Sequence, residues 1–254
     1  MVKTIIPAFP AVKRTPKQDG SKVLKISECF TDTVQGEGIT AGVPATFLRL
    51  QNCTLACTFC DTLEVWRKGN QFSVNELLYL WREKGIHSRL EAGHHLVITG
   101  GSPLLQDEAV LELLQHLSAE LPTKLFVEIE NEAVLMPLPA LLPYVTLWNN
   151  SPKLSNSGMR KDIRYQPDIL TYMSTNTSSI FKFVITGEED WEEILADFIQ
   201  PGYIKKEQVV LMPEGSSRVE LQNNYSAVTE LACKHSVKMC DRLQVTIFDK
   251  TVGV

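Results

Sequence analysis

The stretch Ala45-Thr-Phe-Leu-Arg-Leu50-Gln-Asn-Cys53-Thr-Leu-Ala-Cys57-Thr-Phe-Cys60 couples a short β-type run to a loop carrying three cysteines. Ala45–Leu50 reads as a strand, and the same strand-then-loop unit returns along the chain. His95–Thr99 is a second strand ending in Gly100-Gly101, Lys124–Ile129 a third, and Val145–Trp148 a fourth that leads into Ser151-Pro152-Lys153. Helical stretches lie between them. Ser73 with Glu76 three residues later forms a capping box, and Val74, Leu77, Leu78 and Trp81 then share one face. Val110, Leu113, Leu114 and Leu117 mark a second amphipathic helix. Pro137, Pro139 and Pro143 interrupt one connection, and the polar run Leu154–Asn176 reads as a long loop or insertion. Ile180–Ile185 is a strand, and Trp191, Ile194, Leu195 and Phe198 stripe another helix. Gln208–Met212, a helix around Tyr225–Ala232, and the run Leu243–Phe248 close the chain. Such alternation predicts an α/β fold with a mostly parallel sheet and helices outside. Functional residues then gather at the C-terminal ends of strands, where the cysteine loop, the double glycine and Ser151-Pro152-Lys153 all fall.

The 254 residues are 44% hydrophobic and 8% aromatic, enough for a full core without disulfide staples. A formal charge of −5 argues against broad nucleic-acid binding, yet leaves room for a small anion held by one buried arginine. No apolar run approaches the roughly 20 residues that span a bilayer. The first twenty residues carry Lys3, Lys13, Arg14 and Lys17 among three prolines and lack a secretory h-region. Residues 1–20 therefore read as a flexible tail, followed by a single domain over 21–254. A cytoplasmic, reducing compartment follows, in which six cysteines do not form a disulfide framework. Cys29, Cys233 and Cys240 each read as a small buried hydrophobe.

Cys53, Cys57 and Cys60 have the spacing C-x-x-x-C-x-x-C, and thiolates are soft ligands that suit iron–sulfur clusters or zinc. A 4Fe–4S cluster takes four cysteines as a rule, so three leave one iron without a protein thiolate. A chelating cosubstrate can fill that corner through an amino and a carboxylate group, as the methionyl end of S-adenosylmethionine does. Structural zinc wants four closed ligands, the fourth then coming from His87, His94, His95, Cys233 or Cys240, none at a recognisable zinc spacing. A loop of three cysteines with no metal is the remaining reading.

The cysteine loop, with Phe59 just before its last cysteine, resembles the signature of the radical S-adenosylmethionine superfamily. Further stretches resemble one of its families, 7-carboxy-7-deazaguanine synthase. They are Glu28-Cys29-Phe30, Gln35-Gly36-Glu37-Gly38, Phe47-x-Arg49, Cys60-Asp61-Thr62, Thr99-Gly100-Gly101, Ser151-Pro152-Lys153 and the closing Gly253-Val254. The resemblance implies a partial (β/α) barrel that binds a 4Fe–4S cluster, S-adenosylmethionine and Mg²⁺. It implies a lyase that converts 6-carboxy-5,6,7,8-tetrahydropterin to 7-carboxy-7-deazaguanine with loss of ammonia, a step toward queuosine and other deazapurines. It also implies a homodimer and an external electron donor such as flavodoxin. On the family's pattern Arg49 pairs with the substrate carboxylate, a geometry that suits a guanidinium. Val34, Gln35, Gly36, Glu37, Thr99 and Val254 face the substrate. Phe59, Asp61, Gly101, Ser151, Pro152, Lys153 and the run Met212, Pro213, Glu214 and Gly215 belong to the cosubstrate side. Thr62 ligates magnesium through its hydroxyl. Two stretches depart from the pattern. Ser102 stands where the family's T-G-G-E-P has its glutamate, and Glu128-Ile-Glu-Asn131 stands where it has E-T-N-G. The alternatives are another radical enzyme, such as a glycyl-radical activase, and a zinc-binding interaction module.

Overall fold

The computed structural model describes residues 2–8, 15–67 and 69–251. Lys3–Ile6 (β1) pairs antiparallel with the long strand Val23–Val34 (β2), which turns back through residues 35–43 into Pro44–Leu50 (β3). The cysteine loop leads into a single helical turn, Leu63–Trp66 (α1), and then Asn70–Ser73 (β4), which also pairs with β2. Val74–Lys84 (α2) and Ile86–Glu91 (α3) carry the chain to His95–Gly100 (β5), parallel to β3. Asp107–Glu120 (α4) crosses to Val127–Asn131 (β6), and a 3₁₀ stretch over Pro139–Tyr144 precedes Leu147–Asn150 (β7). Lys161–Arg164 (α5) and Pro167–Asn176 (α6) lead to Ser179–Ile185 (β8), and Glu188–Glu193 (α7) leads to Val209–Pro213 (β9). Arg218–His235 (α8), the two-residue strand Lys238–Met239 (β10) and Leu243–Phe248 (α9) follow.

The strands form one sheet in the order β1-β2-β3-β5-β6-β7-β8-β9-β10, parallel from β3 onward. Among the described residues no pairing joins its two edges, so the sheet is open. Parallel neighbours need crossover connections, and these helices supply most of them. Leu48, Leu50, Leu96, Ile98, Val127, Ile129, Phe181 and Phe183 point from one face of the sheet into a single core. There they meet Leu77, Leu78 and Trp81 of α2, Val110, Leu113, Leu114 and Leu117 of α4, and Leu170 and Met173 of α6. The capping box at Ser73 is formed, with its hydroxyl accepting from Glu76 N–H at 3.1 Å.

The structure corrects several element readings. Lys3–Ile6, inside the stretch read as a tail, is a strand whose Ile6 is buried in the core. The third and fourth strands lie two to three residues later than Lys124–Ile129 and Val145–Trp148. Their far ends hold the buried polar residues Asn131, Asn149 and Asn150, with Asn131 Nδ2 donating to Asn150 at 2.9 Å and Asn149 Nδ2 donating to Glu128 near the start of β6 at 2.8 Å. A reading weighted on apolar runs ends such strands too early. The supposed loop Leu154–Asn176 contains α5 and α6. In α6, Pro167 takes the first turn, where its missing N–H costs nothing. Thr171 and Thr175 bond back to the carbonyls of Pro167 and Thr171, so their hydroxyls find partners within the helix, while Leu170 and Met173 bury its inner face. The helix striped by Trp191 widens into a π-helical turn over Ile194–Ile199. Cys29 and Cys240 are buried as expected, but Cys233 is exposed on α8.

Candidate active site

Alternation along a strand places every second residue on the face opposite the helices. On that face, Arg49, Thr99, Glu130, Val184 and Met212 reach the C-terminal ends of β3, β5, β6, β8 and β9, joined by Lys182 one alternation earlier. They line a cavity of about 440 Å³, the size of a small-molecule site. The cysteine loop forms another part of its wall through Cys53, Cys57, Phe59, Cys60, Asp61 and Thr62. The loop after β2 contributes Gln35, Gly36 and Glu37, beside Val34 at the strand's end. Gly101, Ser151, Lys153, Glu214 and Gly215 complete the residues singled out in the sequence that line it. Pro152 and Pro213 stand outside the lining, and Val254 lies outside the described residues.

Cys53, Cys57 and Cys60 are free, partly buried thiols on this one cavity. Burial raises the Cys53 and Cys57 thiols above their usual range, and neighbouring cysteines add to the effect. Lys153 opposes it at Cys57, and Ser102 and the Leu55 N–H oppose it at Cys53. Three thiols crowded in this way are relieved when a metal takes them as thiolates. The candidates for a fourth zinc ligand are elsewhere. His95 stacks on Phe126, His87 meets Glu120, and Cys240 packs with Leu147 and Ile180. The donor set is three soft sulfurs facing a cavity with room beyond them, which fits a cluster with one open iron.

Gly101 lets the β5 end pass under this loop. A Cβ there would meet Asn52 O at 2.1 Å and Cys53 Cβ at 2.7 Å. Ser102, fully buried, binds the loop, its Oγ accepting from Thr54 N–H at 2.9 Å and lying 3.6 Å from Cys53 Sγ. Thr62 sits at the N-cap of α1 without using its side chain as a cap, and its hydroxyl is 3.8 Å from Cys60 Sγ. Lys153 Nζ donates to Ser151 O and Oγ at 2.7 and 2.8 Å, and burial lowers its pKa.

Arg49 is held by Glu28, its Nε donating to Oε1 at 2.7 Å, with both side chains largely buried. Burial works against the guanidinium charge, but Glu28, Asp61 and Glu130 outweigh it. Among the described residues its terminal Nη groups have no hydrogen-bond partner, so they remain available to a ligand. Gln35 is locked, donating to Glu128 at 2.9 Å and to Glu130 at 3.1 Å while its Oε1 accepts from Glu37 N–H. Thr99 Oγ1 donates to Glu130 Oε2 at 2.8 Å. Gly36 is pressed against α9. A Cβ there would overlap Gln244 Oε1 at 1.8 Å.

Glu37 is the centre of a charged knot. Lys182 Nζ donates to its Oε2, while Arg242 Nε and Gln244 Nε2 donate to its Oε1 at 3.1 and 2.6 Å. Arg242 reaches on to Asp61 and to the carbonyl of Gly215. Burial would raise the Glu37 carboxyl, but Lys182 and Arg242 hold it far below the carboxylate range. Asp61 and Glu37 thus bind the cysteine loop and the Gln35–Gly38 loop to α9. Sequence reasoning missed Lys182, Arg242 and Gln244. Lys182 left a signal, a lone cation inside the apolar run Ile180–Ile185, where a charge is rarely buried unpaired. Arg242 and Gln244 left none.

Residues 34–131, which span the three cysteines, match the family model described as a 4Fe-4S single cluster domain. The class that fold and site define is therefore a single-cluster iron–sulfur protein on a mostly parallel α/β sheet. The chain is 30% identical to the 7-carboxy-7-deazaguanine synthase of Pyrobaculum aerophilum, over 91% of this chain and 97% of the relative. It is 33% identical to that of Halobacterium salinarum, over 89% and 91%. The crystal structure of QueE from Escherichia coli shares the fold, with a TM-score of 0.62 at 23% identity, covering 87% of this chain and 95% of that one. This chain belongs to the 7-carboxy-7-deazaguanine synthase family.

Proposed function

We propose that the chain is a radical S-adenosylmethionine lyase that converts 6-carboxy-5,6,7,8-tetrahydropterin to 7-carboxy-7-deazaguanine with loss of ammonia. The observation that carries this is one cavity with three disulfide-free thiols on one wall and the free Nη face of Arg49 on another. Cys53, Cys57 and Cys60 would hold a 4Fe–4S cluster, which when bound would offer S-adenosylmethionine an iron without a protein thiolate and the electron for its reductive cleavage to a hydrogen-abstracting radical.

The chain's own residues bind and orient. Arg49, fixed by Glu28, offers two parallel N–H donors to the substrate carboxylate. Glu130 keeps acceptor capacity beyond its bonds to Gln35 and Thr99 and receives N–H groups of the pterin ring. Val34 and Gly36 form the flat wall beside the ring. Glu37 holds that wall in place through Lys182 and Arg242, a supporting role that its saturated bonding favours over direct substrate contact. Ser151, Lys153 and Gly101 serve the polar groups of S-adenosylmethionine, with Phe59 and the stretch around Met212 and Glu214 beside the adenosyl part. The Thr62 hydroxyl, which caps no helix N–H and among the described residues touches only Cys60 Sγ, is a hard oxygen ligand for Mg²⁺, which needs few protein groups when substrate and water complete its shell. Ala56 and Thr58 of the cysteine loop are exposed, which suits the approach of an external one-electron donor such as flavodoxin. A cytoplasmic homodimer completes the reading.

Anaerobically reconstituted protein, given S-adenosylmethionine, reductant, Mg²⁺ and the carboxypterin, should yield the deazaguanine and ammonia, followed by mass. A fully loaded cluster that forms no such product overturns the assignment.

A further inference from the structure

Glu132, just beyond β6, is 5% exposed and lines the cavity with Cys53, Cys57 and Lys153. Its Oε1 accepts from Thr54 Oγ1 at 2.8 Å, while its Oε2 has no partner. A buried carboxylate oxygen left unmatched is costly, so the site is incomplete without a donor. The carboxylate is also aimed. Thr54 belongs to the cysteine loop and bonds Ser102, which lies against Cys53. Asn131 Oδ1 accepts from Ala133 N–H at 2.8 Å and fixes the turn on either side of Glu132.

We propose that Glu132 receives the N–H groups of the methionyl amine of S-adenosylmethionine. The inference rests on the cosubstrate reading given above. Two charged side chains face this part of the cavity, and the ligand's aminoacyl end carries one donor and one acceptor group. Lys153 suits the carboxylate, and Glu132 suits the amine. Lys153 does not itself satisfy Oε2, which has no partner among the described residues while the Lys153 Nζ turns to Ser151. Ser102 does not serve, since its short hydroxyl is fully buried and engaged with Thr54. The chain thus places a negative charge just beyond β6, on the cavity wall beside Cys53 and Cys57.

Equilibrium binding to cluster-loaded protein tests this without turnover. Two ligands are compared, S-adenosylmethionine and 5′-methylthioadenosine, which lacks the aminoacyl end. Glu132→Gln and Glu132→Leu should retain iron and weaken S-adenosylmethionine about tenfold or more, the range for a hydrogen bond to a charged group. Their affinity for 5′-methylthioadenosine should stay within about threefold of wild type, no more than one weak hydrogen bond. Unchanged S-adenosylmethionine affinity in both variants overturns the proposal, as does an equal loss for both ligands. If one variant does not fold, the other decides. Wild-type protein that holds a cluster yet binds no S-adenosylmethionine would instead overturn the function proposed above, and this inference with it.

Discussion

Glu128 is fully buried on the cavity side of the sheet but outside the cavity lining, and its carboxyl is pushed up to about 7. Burial is the main cause and the charge of Glu130 the second, against hydrogen bonds from Thr40 and Asn149. A carboxyl raised in the fold keeps a proton that the unfolded chain releases above about pH 4.5, so stability falls as pH rises from there toward 7. At about 1.4 kcal/mol for each pH unit of that interval, the ionised side chain costs the fold about 3 kcal/mol at pH 8. Glu128→Gln removes the cost and keeps the shape. Its carbonyl still accepts from Asn149 and Gln35, and its NH₂ group can donate to the Thr40 hydroxyl, which turns to accept. Urea unfolding with matched cluster content should show the advantage of Glu128→Gln over wild type growing by about 2–3 kcal/mol between pH 5 and pH 8. Parallel pH profiles, or a variant less stable than wild type at pH 8, would refute the reasoning. Because Glu128 does not touch the cavity, turnover at pH 8 should remain near wild type.

Arg49→Ala should raise KM for the carboxypterin about 10- to 100-fold, the equivalent of one charged hydrogen-bond pair. It should also destabilise the fold, since Glu28 is left buried without its partner. Arg49→Lys separates the two effects, recovering stability better than KM because an ammonium lacks the two-pronged geometry; equal recovery of both would count against substrate pairing. Ala133 holds φ +57 in a buried turn, so Ala133→Gly should raise unfolding stability by up to about 1 kcal/mol, and a loss in urea unfolding would show that its methyl matters more than its backbone.

The fold was legible wherever apolar periodicity and turn chemistry agreed. The α2 capping box, the α4 stripe and the strand before the cysteines all stand where the sequence places them. It was illegible where polar groups are buried in pairs. Asn131 with Asn150, and Asn149 with Glu128 on the neighbouring strand, carry the ends of β6 and β7 past their apolar runs, and the stretch at 167–176 is a helix that buries only Leu170, Met173 and Ser174. The site shows the same division. The cysteines, Arg49 and the Gln35–Glu37 loop are local motifs, and the structure brings them to one cavity. Lys182, Arg242 and Glu132 act through partners 78 to 205 residues away in sequence, which no local pattern encodes. Reading Glu37 as a substrate contact follows from its motif alone. Its three bonds to Lys182, Arg242 and Gln244 become visible only when β8 and the start of α9 are folded against it.

The central claim is that Cys53, Cys57 and Cys60 hold a cluster with one iron left open for S-adenosylmethionine. Metal and sulfide analysis of anaerobically prepared protein, with electron paramagnetic resonance of the reduced form, tests it directly. Expected are one 4Fe–4S cluster per chain, no zinc, a spectrum that changes when S-adenosylmethionine is added, and loss of the cluster in Cys57→Ala. Stoichiometric zinc without iron, or a cluster whose spectrum ignores S-adenosylmethionine, would contradict it.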